Sequence, residues 1–87
     1  MLNSTREQIR EKAVSASRDE LDELRRQAMA VLERVQAARR YRLRSKVEEI
    51  EADVAIETLA QVERALGRRG KWFLARRRFQ LKVKYLR

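Results

Sequence analysis

Nine basic side chains crowd the segment from Gly67 to Arg87: Arg68, Arg69, Lys71, Arg76, Arg77, Arg78, Lys82, Lys84 and Arg87, with no Asp or Glu among them. Trp72, Phe73, Phe79 and Tyr85 are interleaved with these cations, and only Tyr41 among the aromatics lies elsewhere. The first 66 residues hold thirteen basic and thirteen acidic side chains, so the whole net charge of +9 belongs to this segment. Lys and Arg that neutralise phosphates release condensed counterions, which drives binding without reading sequence. Aromatic faces among such cations add stacking on exposed bases or a wedge between base steps. These residue types point to a polyanion, nucleic acid first. Contacts are expected mainly to the backbone, because only Gln80 is placed for base-edge readout. With ~6 of these cations on duplex phosphates, the log–log salt slope would lie near −5.

A second acid-free cluster, Arg39, Arg40, Arg42, Arg44 and Lys46, surrounds Tyr41. A single charge run is usually solvated surface. Two such runs in 87 residues favour a polyanion, so Arg39, Arg40, Arg42 and Arg44 join the tail cations and Trp72 as candidate nucleic-acid contacts. Arginine outnumbers lysine seventeen to five, and guanidinium forks suit phosphate better than ammonium does. A GC-rich genome or a hot-living host gives the same bias, and accounts for it equally well.

Catalytic chemistry has little to stand on. The chain has no His, no Cys, no glycine-rich phosphate loop and no proline-braced turn. Glu49, Asp53 and Glu57 step by four along one prospective helix face, where a cation could bridge them. A solvated acidic face is the simpler reading. Tyr41 and Ser45 lie among arginines, but nothing positions a base beside them. No catalytic residue, metal ligand or cofactor is expected.

The elements that must position the tail read as helices. There is no proline, glycine occurs only at Gly67 and Gly70, and 40% of the residues are charged. The expected class is all-α, with amphipathic helices at about 5–16, 18–44 and 46–66 forming a helical hairpin or coiled coil. A basic C-terminal arm follows at 71–87. Three Ser–x–x–Glu boxes, Ser4–Glu7, Ser17–Glu20 and Ser45–Glu48, mark prospective helix starts. Leu21, Leu24, Ala28, Val31, Val35 and Ala38 form a heptad seam. Val47, Ile50, Val54, Thr58, Val62 and Leu66 form another face, closed by Gly67 as a helix stop. The first run, with Ile9, Ala13 and Ala16, is thin and could simply extend the second helix backwards.

Near Ser45 two arrangements are open: a turn giving an antiparallel pair, or a continuous rod of roughly 70 Å from 18 to 66. The capping box and the clustered like charges favour the hairpin. The tail is also open. As a strand, Phe79, Leu81, Val83 and Tyr85 alternate with polar residues. As a helix, Trp72, Ala75, Phe79, Val83 and Leu86 share a stripe, and the unbroken length favours this form.

Two units are expected: a charge-balanced helical body over 1–66 and a basic aromatic arm over 67–87. An alanine-diluted apolar stripe on so short a chain suits packing between subunits. Leu21, Leu24, Ala28, Val31, Val35, Val47, Ile50, Val54 and Val62 are therefore the candidate interface of a homodimer or higher homo-oligomer. The leading function is non-enzymatic nucleic-acid binding by such a scaffold, in a nucleoid, virion or ribonucleoprotein setting. A structural or adaptor subunit of a larger protein assembly is the alternative. Binding of the arm to an anionic membrane surface, or to an acidic helix-gripping partner, ranks third. The polar start, the lack of cysteine and the absence of any long apolar run imply an intracellular or virion-interior protein, neither secreted nor transmembrane.

Overall fold

The computed structural model describes residues 3–39, 45–67 and 70–86. Four helices account for nearly all of them: α1 (Asn3–Ser15), α2 (Arg18–Arg39), α3 (Lys46–Gly67) and α4 (Lys71–Leu86). No strand occurs among the described residues.

Two of the three Ser–x–x–Glu boxes start helices. At Ser17 the hydroxyl accepts from the Glu20 N–H at 3.3 Å and lies 3.1 Å from the Glu20 carboxylate, to which it donates. Ser45 is bonded more completely. Its hydroxyl accepts from the Glu48 N–H at 3.2 Å, while the Glu48 carboxylate accepts from the Ser45 N–H at 3.4 Å. Both serines satisfy amide groups that a helix start leaves without partners. Ser4 has no such place, because α1 already includes Asn3 and Ser4. Nor does α1 extend α2 backwards. The Ser15 hydroxyl donates to the Glu11 carbonyl at 2.9 Å, helical backbone ends there, and Ala16 and Ser17 make the corner.

Between α2 and α3 the chain reverses, so the continuous rod does not form. Leu21 near the start of α2 clusters with Val62 near the end of α3, and Arg34 late in α2 pairs with Glu51 early in α3. That pairing order is antiparallel. The expected α2 terminus at residue 44 and the joint around Tyr41 lie outside the described residues.

Helix α3 is the centre of the fold and packs against each of the other three helices. Its sequence carries apolar residues on two stripes. Ala52, Ala55, Ile56, Leu59 and Ala60 follow the spacing of a buried helix face, and all are buried. The other stripe, expected to be the packing face, is only partly covered. Val62 is buried and Val54, Thr58 and Leu66 are half-buried, whereas Val47 and Ile50 are exposed. The seam on α2 fares better. Leu21, Ala28 and Val35 are buried, Leu24, Val31 and Ala38 are half-buried, and Leu32 adds a further buried position.

The tail is a packed helix, not a strand. Leu81 and Tyr85 belong to the same cluster as Leu32, Val35, Ile56 and Leu59. The segments divided above as body and arm therefore share one core. Burying a side chain such as Leu81 contributes about 1.5–3 kcal/mol, a large share for so small a domain.

Candidate nucleic-acid interface

Helix α4 opens with the Phe73 N–H donating to the Gly70 carbonyl at 3.2 Å. From there the 3.6-residue period sorts its side chains onto two faces. Leu81 and Tyr85 point into the core, and Leu74 is half-buried alongside them. Flanking them, Arg77 and Arg78 reach carboxylates on α3.

Arg77 meets Glu63 through a two-pronged contact, Nε to Oε2 at 2.7 Å and Nη2 to Oε1 at 3.0 Å. Arg78 places Nε 3.0 Å from both oxygens of Glu57 and Nη2 2.8 Å from Oε1. Glu57 is only 2% exposed, and it also receives Arg6 of α1 at 3.5 Å. One buried carboxylate thus joins α1, α3 and α4. Such a group is held in place only because charged donors replace the water it has lost. The Gln36 side chain adds a hydrogen bond from α2 to the Lys84 carbonyl at 3.0 Å.

The opposite face of α4 is turned to solvent. Trp72 is 89% exposed and Phe79 68% exposed, with Val83 in line and Arg76 between the two rings in helical order. The stripe of Trp72, Ala75, Phe79 and Val83 is thus the outward one, with half-buried Leu86 at its end. Arg76 and Lys82 form no ion pair with any described carboxylate. The Lys84 ammonium sits 5.1 Å from the Tyr85 ring centroid, a cation–π contact that leaves its charge unneutralised.

Of the sequence-derived contacts, Arg76, Lys82, Lys84 and Trp72 are thus brought to the outward side or its flanks, while Arg77 and Arg78 are engaged by Glu63 and Glu57. Arg40, Arg42, Arg44, Arg68, Arg69 and Arg87 lie outside the described residues, as do the side chains of Arg39 and Lys71. The pairing of Arg77 and Arg78 could not be read from the tail itself, because it depends on which stripe of α4 turns toward α3. Glu57 and Glu63 are six residues apart on α3, and Arg77 and Arg78 are the cations nearest the apolar inner stripe.

The residues proposed for self-association divide as well. Leu21, Val35 and Val62 are covered by the chain's own helices, and Ala28, also buried, forms part of the floor of a groove. Leu24, Val31, Ile50 and Val54 line that groove, an open apolar one of about 350 Å³ between α2 and α3, and Val47 is exposed one turn before Ile50. None of the described lining residues belongs to α4.

Glu49, Asp53 and Glu57 do not combine into a metal site. Among the described residues no group of three or more His, Cys, Asp or Glu side chains could hold an ion. Asp53 and Glu57 instead share a polar recess with Arg6, Arg78 and Lys82. No helix among the described residues is long and apolar enough to cross a membrane. No protein-family model, curated protein or solved structure matches the chain, so its functional reading rests on its own residues.

Proposed function

We propose that this protein is a non-enzymatic nucleic-acid-binding module whose contact surface is the outer face of α4. The observation that carries this reading is the company kept by its exposed aromatics. Trp72 and Phe79 stand in solvent on a helix without a single acid, beside Arg76, which pairs with no described carboxylate. Large aromatics left in water on one face forgo burial worth several kcal/mol and are typical of contact surfaces. Cations beside them select an anionic partner, and interleaved rings and cations suit bases on a phosphate chain.

Arg77 and Arg78 fall outside the surface in this reading, because a phosphate would have to displace Glu63 or Glu57 to reach them. The tail sequence holds seven further cations. If about four of them meet phosphates, the log–log salt slope is about −3 to −4, shallower than the whole tail would give. Titration of a labelled mixed-sequence oligonucleotide across ionic strengths tests this. A flat response would sink the reading.

In the same reading two copies pair along the α2–α3 groove. The residues lining the groove include no cation and one acid, Glu51, so contact there packs no arginines against one another. Pairing away from α4 also leaves both cationic helices free to face a polyanion. Sedimentation velocity of Ile50→Arg should show a monomer where the parent chain is a dimer. A parent chain that is already monomeric would instead favour the adaptor reading, in which another protein fills the groove.

A further inference from the structure

Building on that reading, we infer that the ligand of α4 is an unpaired strand, held by base stacking on Trp72 and Phe79 with Arg76 on the phosphate chain between them. Trp72 and Phe79 are seven residues apart, two turns of the same face, so their rings are about 10 Å apart along the helix axis. That interval equals about three steps of a stacked strand at ~3.4 Å per nucleotide, and fewer in a stretched one. Arg76 follows Trp72 by four residues and precedes Phe79 by three, so it projects from the same face between the rings.

A duplex has no such use for these residues. Its base faces are already stacked, and what it offers a helix is the row of base edges in the major groove. Reading those edges needs paired donors and acceptors. The outer face offers an indole, a phenyl ring, Val83 and one guanidinium, with Gln80 only at its margin. Against a duplex backbone, the two rings would lose hydration without gaining an apolar or aromatic partner. Against an unpaired strand, both rings gain a π-face, and Lys82 and Lys84 border the track on either side.

Trp72 is the only tryptophan, so its emission reports on this face directly. The full-length chain would be titrated at low salt with an oligothymidylate 15-mer, a 15-base-pair duplex, and vesicles containing phosphatidylserine. The expected result is quenching of Trp72 by oligothymidylate, with affinity at least tenfold above that for the duplex. Trp72→Ala, followed by anisotropy of a labelled 15-mer, should weaken binding roughly 5- to 150-fold, with Phe79→Ala in the same range. Both side chains are largely exposed, so thermal midpoints should stay at the parent value.

Duplex binding as tight as oligothymidylate binding, or a 15-mer affinity untouched by Trp72→Ala, overturns the unpaired-strand inference and leaves nucleic-acid binding standing. No response to either oligonucleotide, with or without an emission shift on the vesicles, overturns both.

Discussion

The two faces of α4 are made of similar residues. Inward lie Leu81, Tyr85, Arg77 and Arg78; outward lie Trp72, Phe79, Val83 and Arg76. Each has apolar bulk with arginine beside it, and the outward stripe carries two rings, Trp72 and Phe79, to the inward stripe's Tyr85. What separates them is the helix they meet. On α3, Glu57 and Glu63 stand where Arg77 and Arg78 arrive, whereas no described carboxylate pairs with Arg76. Hydrophobic burial alone would accept either face. An arginine pressed toward a core without an acid would lose hydration with nothing in return, so the charge pairing selects which apolar stripe is buried. A cation excess read from composition thus divides into an architectural part and a part left for a partner.

Substitutions on either side put that division to the test. The largest effect should come from Leu81→Ala, which empties a fully buried position shared with α2 and α3. A loss of about 2–5 kcal/mol is expected in chemical denaturation. Glu57→Gln should follow, at about 3 kcal/mol, because Arg78 and Arg6 lose the carboxylate that anchors them. Its affinity for oligonucleotides should hold or rise as those cations are released. A variant as stable as the parent would show that charge does not choose the buried face. Arg76→Ala sits at the other extreme. It should change stability by less than about 0.5 kcal/mol, yet make the salt slope shallower by about 0.7–0.9. An Arg76→Ala chain that unfolds early, or that keeps the parent slope, would erase the distinction between the faces.

Much of the architecture was legible in the chain. Ser17 and Ser45 announce their helices because a capping box is a local device, satisfied within four residues. The seam on α2 was equally readable, since an outer helix buries one stripe. Helix α3 defeated the same rule. A central helix is covered from several sides, so Ala52, Ile56 and Leu59 form its core face while Val47 and Ile50, on the stripe that looked more regular, stay exposed. Ser4 misled because a box is permissive, and a helix can run through it. On α4 both stripes scan as amphipathic. Choosing between them requires knowing which neighbour carries Glu57 and Glu63, a fact of the fold that no window along the tail contains. The cationic surface was therefore visible as a composition, and its division between two faces was not.

The position of Tyr85 and Leu81 in the common core also bears on how this chain must be synthesised and dissected. Helix α4 follows α3 in the chain, so a nascent chain presents Ile56, Leu59 and a hydrated Glu57 until the basic helix emerges and closes over them. A chain stopped after Gly67 is trapped at that stage, with its apolar side open, Glu63 without Arg77 and Glu57 left with Arg6. Loss of binding in such a truncation would report an unfinished fold, and only side-chain replacements on the outer stripe separate recognition from assembly.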